Sequence, residues 1–364
     1  MEENKSNYGS SLLVPSVQEL ANDPNLTVPS RYIRHDQHQS LISEDDPALH
    51  FPHQIPVIDF EKLISEESTG FVSDSDSELE KLHLVCKDWG FFQLVNHGVS
   101  SSLVEKTKTE IKNIFKLPLE EKKKFWQNSK EVEGFGQAFV VSEQQKLDWN
   151  DILFMTTLPV HLRKPHLFPK LPSTFRETLD IYSVELRDLA MRLIVQMEKA
   201  LKVKEKEVCE LFEGGVQSMR MTYYPPCPQP EKVIGLAPHS DATGLAILLQ
   251  VSDVEGLQVK KDGNWVPVKP LPNAFIVNIG DILEIITNGE YRSIEHRATT
   301  NLHKERFSLA TFYSPRLESE IGPAHSFITE QSPPKYKRMG MQEYVRGYFS
   351  RELDSKSYLD AMKL

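Results

Sequence analysis

Cysteine is scarce: Cys86, Cys209 and Cys227 are all that the 364 residues contain. Three scattered thiols build no disulfide framework, which points to a reducing setting and an expected cytoplasmic location. Basic charge is not in excess either, with 42 Lys and Arg against 52 Asp and Glu and a formal net charge of −10. Nucleic acid and anionic lipid attract basic surfaces, so neither is an expected partner. No apolar run approaches the roughly 18 residues of a membrane span. The opening MEENKSNYGSSLL carries Glu2 and Glu3 and lacks the apolar core of a signal peptide. Internal repeats and low-complexity tracts are also missing. With 39% hydrophobic and 26% charged residues, what remains is an ordinary soluble composition, expected monomeric for want of a contrary signal.

The texture along the chain suggests four parts: an N-terminal arm (1–52), a region of helices and short strands (53–212), a strand-rich core (213–318) and a C-terminal helical segment (319–364). The arm is polar and rich in proline (Pro15, Pro24, Pro29, Pro47, Pro52), with acids at Glu44, Asp45 and Asp46. Ser16 before VQELA reads as the N-cap of a single helical turn. Ile55 to Phe60 is a β-type run, and Ser75 to Lys87 has helical spacing with Leu79, Leu82 and Cys86 on one face. Trp89 to Val95 alternates as a strand and stops at the turn signal Asn96-His97-Gly98. Helices are expected over Ser101 to Phe115 and Ser173 to Val203, and the loop Gly134 to Phe139 between them is suited to line a cavity.

After residue 213 short strand-like runs follow one another: Val216 to Tyr224, Gly244 to Gln250, Leu257 to Val259, Trp265 to Val268, Ala274 to Ile279 and Phe307 to Tyr313. Asp262-Gly263 is the best hairpin signal, and Pro267 confines its strand to an edge or an end. Many short strands with Pro and Gly between them indicate a sandwich or jelly roll.

His239-Ser240-Asp241 precedes the apolar run GLAILLQ. In extended backbone, positions i and i+2 share a face, so imidazole and carboxylate can meet one point. Alone the pair means nothing: 12 His and 52 acids supply about two His-x-acid triplets by chance, and the chain has two, the other being His303-Lys304-Glu305. His296, after further strands, supplies the company that lifts it. Two His and one carboxylate with open positions are the facial triad of non-haem Fe(II) oxygenases. Ten residues on, Arg306-Phe307-Ser308 sets a guanidinium fork and a hydroxyl on one strand face, donors suited to a carboxylate. Tyr224 upstream offers a phenol.

These residues, with IPVIDF, WGFFQLVNHGV, YYPPCPQP and NIGDILEIITNGEYRSIEHR, resemble the plant 2-oxoglutarate/Fe(II)-dependent dioxygenases over most of the chain. EGFGQAFVVSEQQKLDW and LRKPHLFPKLP are most similar to the senescence-related oxygenases and the morphinan alkaloid O-demethylases. The resemblance implies an α+β fold, mainly β, with a double-stranded β-helix (jelly roll) core, flanking helices and a helical and strand N-terminal region. It implies His239, Asp241 and His296 as ligands of Fe(II), and Arg306 and Ser308, helped by Tyr224, as the grip on 2-oxoglutarate. It also implies stimulation by ascorbate, dioxygen as co-substrate, and hydroxylation or O-demethylation of a small alkaloid, flavonoid or other phenolic. Thr222 departs from the family's segment, which carries Asn there.

Other histidines and thiols read as bland: His97 as structural, His303 and Glu305 as solvated, Cys227 as a residue of a rigid turn. Phe312, on the strand face of Arg306 and Ser308, is expected to reach the substrate, and Val141, Ile152 and Phe154 are candidates for the same cavity. Two rivals share the scaffold, an ascorbate-using oxidase that consumes no 2-oxoglutarate and a non-catalytic small-molecule receptor. A germin-type cupin is disfavoured because no His-x-His pair occurs.

Overall fold

A computed structural model describes residues 9–23, 25–34, 54–65, 74–129, 131–203 and 206–364. Much of the expected arm, including Pro24, Pro47, Pro52 and the Glu44 to Asp46 patch, lies outside the described residues. The strands of the first half are β1 (Val57–Asp59), β2 (Phe91–Val95), β3 (Gly134–Gly136) and β4 (Asp151–Leu158). In the core follow β5 (Val216–Tyr224), β6 (Leu236–His239), β7 (Leu245–Gln250) and β8 (Leu257–Lys261). Then come β9 (Asn264–Pro267), β10 (Phe275–Ile279), β11 (His296–Ala298) and β12 (Arg306–Ser314).

They form two sheets, an eight-stranded one in the order β1-β2-β10-β7-β12-β5-β4-β3 and a four-stranded one in the order β6-β11-β8-β9. Phe91 and Ile276 of the large sheet pack with Leu257, Val259 and Val266 of the small one. This is the expected jelly roll. Helices Asp74–Asp88, Ser101–Lys116 and Ser173–Leu201 cover the outer face of the large sheet. The longest buries Leu179, Leu186, Leu189, Leu193 and Met197, the stripe its sequence spacing predicts.

Strand parity decides what each side chain does. Along β12, Phe307, Leu309 and Tyr313 face the helices, with Phe307 6.0 Å from the Phe115 ring of helix Ser101–Lys116. The alternate residues Arg306, Ser308, Ala310 and Phe312 face the interior of the roll.

Local signals account for most elements. Ser16 caps helix Val17–Ala21, its hydroxyl accepting from the Glu19 N–H. Lys261 pairs with Asn264 across Asp262-Gly263, both at positive φ (50° and 81°), the type I′ geometry that matches strand twist. Pro267 ends β9 on the edge of the small sheet. The structure differs in other places. Of the run from Ile55, only Val57–Asp59 is a strand, and the Asp59 carboxylate caps a helical turn at Phe60–Leu63. The expected loop from Gly134 begins with β3. Strand β4 is buried at all eight positions and so shows no alternation to read. The C-terminal segment splits into helices Met341–Phe349 and Ser357–Met362. Among the described residues no helix is long and apolar enough to cross a membrane.

Gly90 ends the helix Asp74–Asp88 at φ 61°, donating to the Val85 carbonyl, and an added Cβ would fall inside the Arg292 carbonyl. Gly90→Ala therefore combines left-handed strain with a backbone clash and should cost at least about 2 kcal/mol. Gly263→Ala, left-handed but with open space around it, should cost about 1 kcal/mol. Urea midpoints compare the two, and equal losses would contradict the role given to Arg292.

Candidate active site

Strands β6 and β11 run antiparallel with His239 directly opposite His296. The imidazole centroids are 4.3 Å apart. Asp241 follows β6 by two residues and turns its carboxylate between the rings, Oδ1 3.6 Å from His239 Nε2 and Oδ2 3.8 Å from His296 Nε2. Each ring is oriented by its other nitrogen. His239 Nδ1 donates to the Ala237 carbonyl at 2.8 Å, and His296 Nδ1 to the Ile294 carbonyl at 3.2 Å. That assignment leaves both Nε2 lone pairs free and convergent. His239 Nε2 is buried with no hydrogen-bond partner, an orphan that a metal would satisfy. One ligand atom from each of the three residues lies within 4.8 Å of the others.

The electrostatics suit a cation. Burial alone would raise the Asp241 carboxyl, but His296, His239 and Arg220 outweigh it and hold the group well below the usual carboxylate range. Burial, with His239 beside it, pushes His296 down to about 4 against the pull of Asp241. At neutral pH Asp241 is therefore ionised and His296 neutral, the protonation states that ligate. Asn278 on β10 donates to Asp241 Oδ2 at 2.8 Å. Behind the ligands, Asp281 accepts from Ser240 Oγ at 3.0 Å and Ser293 Oγ at 2.6 Å, tying the two ligand-bearing segments together. Two imidazoles and one carboxylate fit a divalent transition metal with positions left open.

Two cavities meet at Asp241. The inner one is lined by Tyr224, Asn278, His296, Arg306 and Ser308. Arg306 opens β12 opposite Tyr224, its guanidinium 5.0 Å over the phenol ring and its Nη2 donating to Gln250 Oε1 at 3.2 Å. Ser308 faces the same way, next to Thr222 and Gln250. The outer cavity is aromatic, walled by Phe139, Phe154, Phe312, Tyr348 and Phe349. Phe139 stacks on Phe349 at 5.1 Å, joining a loop to helix Met341–Phe349.

Of the apolar candidates, Phe154 and Phe312 line the outer cavity. Ile152 is buried on the same side of β4 but is not among its lining residues, and Val141 is exposed, its N–H donating to Gln145. The bland readings have concrete partners. Neutral His97 donates from Nε2 to the Asn273 carbonyl and accepts from the Val99 N–H, and burial lowers its pKa. His303 and Glu305 are both exposed, and Glu305 also accepts from Tyr223 OH at 3.0 Å. Burial pushes the Cys227 thiol up to about 11, away from nucleophilic use. Sequence reasoning missed Asn278, Arg220 and Gln250, although a lone polar residue in FIVNI and a lone charge in VQSMRMTYY were visible signals.

Removing the Asn278 amide frees Asp241 to rotate. Asn278→Ala should weaken Fe(II) or Co(II) binding about tenfold without unfolding the chain. A metal titration showing unchanged affinity would remove Asn278 from the site.

Comparison with known proteins agrees with this geometry. Residues 215–315 match the family model of the 2OG-Fe(II) oxygenase superfamily, and residues 55–171 match that of the non-haem dioxygenase in morphine synthesis N-terminal region. Protein SRG1 of Arabidopsis thaliana is 57% identical, covering 100% of both chains. Oxoglutarate-dependent flavonoid 7-O-demethylase 1 of Ocimum basilicum is 53% identical over 100% of this chain and 94% of its own. The crystal structure of JOX2 in complex with 2OG, Fe and JA superposes with a TM-score of 0.84 at 36% identity, covering 96% of this chain and 98% of that one. Family, fold and the buried His-Asp-His cluster thus converge: this chain belongs to the 2OG-Fe(II) oxygenase superfamily and is a 2-oxoglutarate/Fe(II)-dependent dioxygenase.

Proposed function

We propose that this dioxygenase hydroxylates or O-demethylates a small aromatic metabolite (an alkaloid, flavonoid or other phenolic), coupled to conversion of 2-oxoglutarate to succinate and carbon dioxide. The observation that carries the reading is the meeting of three ligand side chains with an aromatic cavity on one side and a buried guanidinium on the other. The resemblance to a flavonoid O-demethylase supports the demethylating form.

In this reading His239, Asp241 and His296 hold Fe(II) through Nε2, a carboxylate oxygen and Nε2. Fe(II), when bound, supplies the activation of dioxygen, chemistry that no side chain provides. Arg306 and Ser308 hold the distal carboxylate of 2-oxoglutarate, with Tyr224 fixing the plane of the fork from below. Phe154 and Phe312, with Phe139, Tyr348 and Phe349, exclude water and present a flat substrate edge-on to the ligands. Oxygen inserted at a methoxy methyl leaves a hemiacetal, which collapses to the free hydroxyl and formaldehyde. Hydroxylation and O-demethylation are then one act on different carbons.

Purified protein with Fe(II), ascorbate and 2-oxoglutarate should release succinate together with formaldehyde on some member of a panel of methoxylated flavonoids, alkaloids and coumarins. Substrate consumption without succinate would refute the dependence on 2-oxoglutarate. Arg306→Lys keeps the charge but loses the planar fork, so the KM for 2-oxoglutarate should rise about tenfold or more. An unchanged KM would mean the distal carboxylate sits elsewhere.

A further inference from the structure

Arg220 sits mid-strand on β5, between Phe154 of β4 and Ala310 of β12. It is the charged side chain that, with Asp241, lines both cavities. Only 7% of it is exposed, and its Nε has no hydrogen-bond partner. The guanidinium lies over the Phe312 ring, 5.3 Å from its centroid, so its plane is set by an aromatic wall. Asp241 attracts it through space, but the carboxylate oxygens of Asp241 are already directed at Asn278 and the two imidazoles.

A buried guanidinium N–H without an acceptor is costly, and the phenylalanines around Arg220 Nε offer none. Any substrate filling the outer cavity shields Arg220 further from water. An acceptor-free hydrocarbon would leave Arg220 Nε unsatisfied, whereas a flat molecule bearing an oxygen at its edge would supply the acceptor. We propose that Arg220 is the specificity-determining contact of the outer cavity, donating to a ring carbonyl or phenolate oxygen of an otherwise apolar aromatic substrate. Phe312 holds the fork in the plane of such a substrate, and the shared wall with Asp241 brings the ring edge to the metal ligands. This deepens the functional reading above and rests on it.

The test uses the full chain with Fe(II) and 2-oxoglutarate under anaerobic conditions, where substrate binds without turnover. Two probes are compared: a monomethoxyflavone, and the matching monomethoxy-2-phenyl-4H-chromene, in which a methylene replaces the ring carbonyl and the C2–C3 double bond is kept. The wild-type protein should bind the flavone at least about tenfold more tightly, the factor expected of a hydrogen bond to a charged donor. Arg220→Leu should erase that preference by weakening the flavone alone. Arg220→Lys, which keeps a cation beside Asp241, should retain part of it. The iron-to-2-oxoglutarate charge-transfer band should persist in both variants, which also verifies that they fold. Equal binding of the two probes, binding of neither, or a preference unchanged in Arg220→Leu would overturn the proposal. So would a loss of 2-oxoglutarate affinity in Arg220→Leu with flavone binding intact. Absence of the charge-transfer band from the wild-type protein would instead overturn the functional reading, and the inference with it.

Discussion

The pairing of β6 with β11 is the constraint on which the site depends. It sets His239 against His296 although 56 residues separate them in the chain. A slip of one residue would turn one imidazole to the opposite face and destroy the cluster. The rest of the small sheet defends that register. Strand β8 pairs with the other side of β11, placing Val259 opposite His296, and the tight hairpin to β9 completes the layer. The free edge of β6 is covered by the C-terminal segment: Ser355 donates to the Pro238 carbonyl and accepts from the Ser240 N–H. Lys356 then reaches Glu284 at 3.0 Å and the Ser293 carbonyl at 2.9 Å. Ser355 and Lys356 thereby brace both ligand-bearing segments.

Charge is arranged in layers around this register. Against its burial, Asp241 stays ionised beside the Arg220 guanidinium, with the Asn278 amide donating to it. Asp281 lies directly behind, and burial pushes it up to about 7 despite its two serine donors and Lys356. One carboxylate faces the cavity as an anion while its neighbour acts mainly as a brace.

What the sequence made legible follows from how local each signal is. The helix Ser173–Leu201 was readable because one face is buried over its whole length, and the Asp262-Gly263 hairpin because its turn needs positive φ twice. The His-x-Asp motif and Arg-x-Ser were readable because strand parity ties neighbours to one face. Strands β6 and β11 were too short to carry a period, at four and three residues. Strand β4 is buried on both faces, and helix Asp281–Ile286 on all sides, so neither shows an amphipathic pattern. Val141 illustrates the opposite error: an apolar residue near a promising loop points outward, while Phe139, two residues earlier at φ 72°, turns into the cavity.

The same distinction explains why the reaction class is easier to read than the substrate. The ligand set is built on the paired strands β6 and β11 and the Arg306 grip on the paired strands β12 and β5, where register and parity convert sequence spacing into geometry. The aromatic cavity draws on β4, β5, β12, the loop carrying Phe139 and the helix Met341–Phe349. No spacing relates these elements; packing such as the 5.1 Å stack of Phe139 on Phe349 does. Substitutions on that loop and helix would reshape the outer wall and leave the β6–β11 pairing untouched. A fold built this way can change what it oxidises while keeping how it oxidises, because the described linings of the two cavities have Asp241 and Arg220 in common and otherwise differ.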